Sequence, residues 1–172
     1  MTIFIVNNKG ARMTSEPAAA EKQPLSDSLF HLWRCMISLI MADGLYHQSE
    51  RKFLDSAIRA LEQVYVVTTD HRITFADDLR EPQNIHELLP RVTEPMHRVL
   101  LPYFCEYISL LDGTQGQAEK EFVKQVREQL DTPELKPLQE EFQQALAKKK
   151  AESRYFYPVD YLLARLGIGR LE

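Results

Sequence analysis

Asp43-Gly44-Leu45-Tyr46-His47-Gln48-Ser49-Glu50 is answered, 69 positions later, by Asp112-Gly113-Thr114-Gln115-Gly116-Gln117-Ala118-Glu119. Both stretches read D-G-x-x-x-x-x-E, and each follows an apolar run. Carried outward, the same offset pairs Cys35 with Phe104, Leu39 with Ile108 and Met41 with Leu110. Past the turn it pairs Phe53 with Phe122, Leu54 with Val123, Ala57 with Val126 and Leu61 with Leu130. Apolar positions fall on apolar positions on both sides, which predicts two homologous helix–turn–helix units. The fold expected is all-α: a single bundle of about seven helices with an internal pseudo-twofold repeat of those units.

The helical reading extends from there. Leu29, Leu32, Trp33, Met36, Ile37, Ile40 and Met41 recur with helical spacing between a cap at Ser26 or Ser28 and the closing Gly44, predicting a helix over 26–42. The next helix, over 47–65, sets Phe53, Leu54, Ala57, Ile58 and Leu61 opposite Arg51, Lys52, Asp55, Arg59 and Glu62. Thr74 is expected to cap a short helix ending before Pro82, and Asn84 another through Leu89. Pro95 sits at the permissive first position of a helix to Leu111, with Pro102 inside it. The repeat partner of the 47–65 helix covers 116–130. Pro133 opens a further helix, and Pro158 a last one that Gly167 stops. Residues 1–25, with Met1-Thr2-Ile3-Phe4-Ile5-Val6 as a brief strand-like piece and a Ser/Pro/Ala-rich stretch after it, read as a poorly ordered lead-in. Residues 26–131 hold the repeat, and 132–172 read as a C-terminal helical extension packing on the bundle.

Composition excludes several functional classes. The 44 % hydrophobic and 27 % charged content is that of a soluble globular domain, and six glycines leave little for a turn-rich β architecture. A net charge of −4 argues against phosphate neutralisation, hence against nucleic acid. The one basic run, Lys148-Lys149-Lys150, suits a helix C-terminus. Cys35 and Cys105 lie in apolar runs as small buried hydrophobes, without a CxxC pair for zinc. The most hydrophobic stretch, 35–42, falls far short of the roughly 20 residues a bilayer span needs. With no convincing leader, a cytoplasmic location is expected. His31, His71, His86 and His97 show no paired spacing and read as surface or half-buried residues. Tyr155-Phe156-Tyr157 and Tyr161-Leu162-Leu163 form an aromatic tail expected to pack back on the bundle; unpacked, it would be a docking surface.

Two readings of the acidic turns stay open. In the first they are caps. Gly44 and Gly113 close one helix, and Glu50 and Glu119 fall at the third position of the next, where a carboxylate reaches back to the cap amide. The aspartates fit less well, because Asp43 and Asp112 sit at a helix C-terminus, where the macrodipole disfavours an anion. In the second reading Asp43, Glu50, Asp112 and Glu119 together hold a divalent cation. Calcium, magnesium and manganese prefer oxygen donors, and four carboxylates would suffice if the fold brings the turns together. His47 could face the same ion. Nucleotide-binding, nucleophile-elbow and zinc-protease signatures are absent from the sequence.

With these residues in view, the chain resembles the TerB-like family, the helical domain of tellurite-resistance proteins, related to the N-terminal part of some membrane-anchored DnaJ-like co-chaperones. The resemblance covers residues 29–131. It rests on Ile40-Met41-Ala42-Asp43-Gly44 with Glu50, on Leu110-Leu111-Asp112-Gly113 with Glu119, and on Asp78-Leu79, Leu88-Leu89-Pro90 and Arg98-Val99-Leu100 between them. It implies an all-helical fold and an acidic cluster suspected of binding a divalent metal ion. It also implies a non-enzymatic interaction module with protein partners, in places a membrane-associated assembly, linked to tellurite resistance or stress response. The chain departs from the family where a serine or threonine cap is replaced by His47 and Gly116. A second departure is the position two residues after the aspartate, Leu45 in one copy and Thr114 in the other. Set against this module are a metal-dependent hydrolase using the same carboxylates and a purely structural scaffold.

Overall fold

The computed structural model describes residues 21–81, 83–113, 115–169 and 171. The strand-like piece expected at residues 1–6, and the lead-in as far as residue 20, lie outside them. Eight α-helices run in order among the described residues: α1 Asp27–Ile40, α2 Gln48–Val64, α3 Thr69–Asp78, α4 Ile85–Leu88, α5 Pro95–Ile108, α6 Gln117–Leu130, α7 Lys136–Glu152 and α8 Pro158–Arg165. A 3₁₀ turn, Leu89–Arg91, follows α4. The only strands described are β1, Gln23–Pro24, and β2, Tyr65–Val66, paired in parallel. The protein is an all-α bundle.

Ser26 Oγ accepts from the Leu29 amide at 3.2 Å and starts α1. Eleven of the fourteen residues of α1 are buried, so it is covered on nearly every side and forms the centre of the bundle. Its chief neighbour is α5, its counterpart in the repeat, with α3, α4 and α6 around it. α5 in turn packs on α6, α7 and α8. Trp33, Ile37, Leu100 and Phe104 are wholly buried between these elements.

The two units end their first helices in the same way. Ala42 donates to Leu39 and Gly44 to Met41, at 2.9 and 3.0 Å; Leu111 donates to Ile108 and Gly113 to Leu110, at 3.0 and 3.1 Å. Each helix therefore tightens into i→i−3 bonds two to three residues before the end that periodicity predicts. Gly44 and Gly113 then adopt φ of +78° and +89°, the left-handed geometry that favours glycine.

The third helix differs from its expected start. Thr68, not Thr74, is its cap: Thr68 Oγ1 accepts from the His71 amide and His71 Nδ1 from the Thr68 amide, both at 3.3 Å. Thr74 lies inside the helix, its hydroxyl donating to Asp70 O. Pro133 likewise stands in a turn, and α7 begins at Lys136 with Pro137 in its first turn.

The C-terminal helices are tied to the bundle by aromatic rings. Phe142 is buried, its ring centroid 4.9 Å from that of Tyr103 and 5.8 Å from that of Tyr161, which reaches Phe156. Tyr65 donates to Leu166 O at 2.7 Å, and a Cβ on Gly167 would stand 3.3 Å from that hydroxyl.

One buried ion pair joins α1 to α3. Arg34 Nε and Nη2 grip the two oxygens of Asp78 at 2.7 and 2.9 Å, and Asp78 is 1 % exposed. Removing Asp78 leaves the Arg34 guanidinium without its partner in a place of limited access to water. Asp78→Ala is therefore expected to lower unfolding free energy by about 3–5 kcal/mol. Breaking the more exposed Arg72–Glu62 pair with Glu62→Ala should cost about 1 kcal/mol or less, urea melts of both variants being the check.

Candidate functional site

The two acidic bends meet. Because α1 and α5 pack side by side and leave through equivalent turns, their C-terminal bends come to one end of the bundle. His47, the cap residue of α2, lies there. Its Nε2 is 3.8 Å from Asp43 Oδ2 and 3.8 Å from Asp112 Oδ2. Those are ion-pair distances once the ring is protonated, longer than a hydrogen bond. One imidazole thus spans the aspartates of both repeats.

Each glutamate also does the capping work that its spacing predicts. Glu50 Oε2 accepts from the His47 amide at 2.9 Å, and Glu119 Oε2 from the Gly116 amide at 2.6 Å. Gly116 has no side chain to return the bond. Asp43 Oδ1 accepts from the Leu45 amide at 2.8 Å, closing an Asx-type turn that offsets its poor place at a helix C-terminus. The capping reading is therefore satisfied for Glu50, Glu119 and Asp43, and the bends of the two repeats lie near each other through His47.

That proximity shows in the acid strengths. Burial pushes the Glu50 carboxyl above its ordinary value; the His47 amide and ring pull it down, and the negative charges of Glu119 and Asp43 add to the rise. Glu119 is raised in the same way, first by burial, with Asp112 and Asp43 adding to it against the Gly116 amide and His47. The two glutamates are buried beside more exposed aspartates, and burial together with the neighbouring negative charge disfavours their ionised forms. Their chemistry, hard oxygens with one imidazole, fits a divalent cation. A group of three or more His, Cys, Asp or Glu side chains set to hold a metal ion does not occur among the described residues, so an ion would have to draw these side chains inward. Leu45 and Leu110, 58 % and 59 % exposed, flank the cluster with apolar surface.

A second polar constellation lies where α1 begins, at Ser28, one helix length before the Asp43 bend. Ser28 Oγ accepts from the amides of Thr93 and Glu94 at 3.1 and 3.0 Å and lies 2.9 Å from His97 Nδ1. With both amides donating to it, the hydroxyl gives its own proton to Nδ1. The Nε2 proton then faces Glu94 Oε2 at 3.3 Å. Ser28, His97 and Glu94 have the residue types of a nucleophilic triad, but Ser28 is 3 % exposed and its oxygen is engaged three times over. This is a buried joint that caps the chain entering α5. His97 is 7 % exposed and His31 9 %, both buried, which corrects the expectation of surface or half-buried rings. Burial lowers the His97 pKa against the opposing pull of Glu94, as suits a neutral acceptor. Ser28 and His97 are themselves 69 residues apart, the repeat offset, and that spacing was the one signal that could have found them. Cys35 and Cys105 are buried and their thiols pushed up by burial, so both stay protonated fillers of the core.

No protein-family model matches the chain, and neither a curated protein nor a solved structure matches it.

A carboxyl group with a raised folded-state pKa favours the native state below the ordinary carboxylate range, and that advantage is lost as pH rises through the raised value. In Glu50→Gln/Glu119→Gln the amide carbonyls can still accept the cap bonds, but the charge is gone. Thermal melts from pH 4 to 7.5 are expected to move in favour of this variant, relative to the unmodified chain, as pH increases. Parallel curves would show that the crowding carries no free energy.

Proposed function

We propose that this chain is a non-enzymatic helical interaction module of the TerB-like type, binding protein partners and taking a divalent cation at its joined acidic bends. The observation that carries the reading is the position of His47, at ion-pair distance from Asp43 and Asp112 at once. The duplicated motif thereby becomes one locus rather than two separate caps. Asp43 and Asp112 would hold the ion, with Glu50, Glu119 and His47 beside them. The bound cation supplies charge neutralisation. The chain's own contribution is to hold the carboxylates at fixed bends by backbone bonds, which limits the entropy lost when the ion draws them in.

The same surface suits partner binding. Leu45 and Leu110 present apolar area next to concentrated negative charge, a pairing that gives burial and orientation in one contact. A link to tellurite resistance or stress response, and a place in an assembly at the membrane, come with the proposed kinship. No helix among the described residues is long and apolar enough to cross a bilayer.

Calcium or manganese is expected to raise the melting temperature. At a tenfold excess over the dissociation constant the gain is about 1.4 kcal/mol, or roughly 3–6 °C for a chain of this size. Asp43→Asn/Asp112→Asn can keep the turn bond to Leu45 through the amide oxygen and should abolish the rise. A flat response in the unmodified chain removes the cation from this reading. Equal capture of host proteins by the unmodified and double-Asn chains removes the bends as the partner surface.

A further inference from the structure

A trough outside the acidic bends carries a further inference. Two cavities of about 390 and 490 Å³ adjoin along α7 and α8, sharing Leu146 and Pro158 as a common wall. The first is mainly apolar and runs from Tyr103 and Tyr107 past Leu162 to Leu110. Glu106 is the one charged residue on its wall among the described residues, and Arg127 pairs with it. The second cavity opens between Lys150, Ser153 and Arg154, with Leu146, Phe156 and Pro158 as its apolar lining. Phe156 and Tyr161 pack back on the bundle through Phe142, as expected for the tail. Tyr155 and Tyr157 do not: they stand 74 % and 59 % exposed.

Free positive charge lies at one end of the trough. Lys148 and Lys149 are answered by Glu152, while Lys150 and Arg154 meet no carboxylate among the described residues. Cations at a helix C-terminus are ordinary, because the macrodipole favours them there, and that accounts for the three lysines. It does not account for Arg154, which stands beyond Glu152, the last residue of α7, and lines the same cavity as Lys150. Two cations on one small cavity repel each other, and an anion seated there removes that cost.

We infer that the trough binds a single-chain anionic amphiphile. A carboxylate or phosphate head sits at Lys150, Ser153 and Arg154, and a linear alkyl chain runs past Leu146 and Pro158 into the apolar cavity. The head receives charge-assisted hydrogen bonds from the lysine and the arginine, and one more from the serine hydroxyl. The chain leaves water for aromatic and aliphatic surface. Clefts of roughly 300–1,000 Å³, mostly apolar and with a few convergent polar groups, are where small molecules bind. Direction is fixed as well: Arg127 is engaged by Glu106, so the far wall has no free cation for the head. An anionic membrane surface or a nucleic acid would answer the cations and leave the apolar cavity open. A neutral hydrocarbon would fill that cavity and leave the cations unanswered.

Calorimetric titration of the full chain with dodecanoate and with dodecyl phosphate tests this, both kept below micelle-forming concentrations, with circular dichroism to follow the fold. Saturation at one molecule per chain is expected, and the tighter of the two heads identifies the source of the anion. Decanoate should bind about tenfold more weakly than dodecanoate, since two buried methylenes are lost. Lys150→Glu/Arg154→Glu, at exposed positions, should keep the spectrum and weaken both ligands by at least about tenfold. Leu146→Asp, on the shared wall, should weaken them too. Dodecyltrimethylammonium should fail to displace dodecanoate. Equal affinity for that cation, or for acetate and inorganic phosphate without a chain, overturns the inference. So does binding that never saturates at one molecule, or that ignores the charge reversal. Capture by phosphatidylglycerol vesicles with no uptake of either amphiphile would overturn it in favour of a membrane surface. Asp43 and Asp112 are untouched throughout, so the result stands apart from that of the cation titration.

Discussion

The packing of α1 against α5 is the constraint on which the rest depends. Both helices are too apolar to face water, and each needs a broad apolar partner; the repeat supplies one to the other. Once two equivalent helices lie together, their equivalent ends must also be near each other. Bringing Asp43 and Asp112 to one imidazole is thus a consequence of core burial. The acidic motif contributes only the residues that happen to stand at the bends.

What the bends hold is in tension with what the core needs. A carboxylate at the third position of a helix is favoured by the dipole and the cap amide, by roughly 0.3–1 kcal/mol each. Two such carboxylates and two aspartates brought to one place lose part of that gain to burial and mutual repulsion, as the raised Glu50 and Glu119 show. Capping accounts for each glutamate separately. It offers no reason for all four acids to lie together with a histidine between them. The packing of α1 on α5 sets both bends at one end, so the crowding is a cost that the core imposes on the caps.

Much of this was legible in the chain. The offset of 69, read from Asp43 and Asp112, gave the helix pairs, the glycine turns and the capping glutamates, because each depends on residues within one or two turns of one another. Three features were not legible, for a common reason. The bond from Ser28 to His97, the grip of Arg34 on Asp78 and the meeting of the bends all join residues 44 to 69 positions apart. Apart from the 69-residue offset between Ser28 and His97, a lone histidine or aspartate in an amphipathic run carries no mark of its distant partner. The late start assigned to α3 failed differently: Thr68 and Thr74 are both acceptable caps, and the reciprocal bond with His71 decides between them.

The two polar constellations argue for different roles by how their atoms are engaged. Around Ser28 every polar atom of the serine and histidine has a partner, and the group is buried, so it fixes the entry to α5 and offers nothing to a ligand. Around His47 the ring lies at 3.8 Å from two carboxylates that are nearer solvent, a spacing that attracts without completing hydrogen bonds. The first is a closed joint; the second is a looser, partly exposed contact. Of the two, only the bends bring charged side chains of both repeats to partly exposed positions.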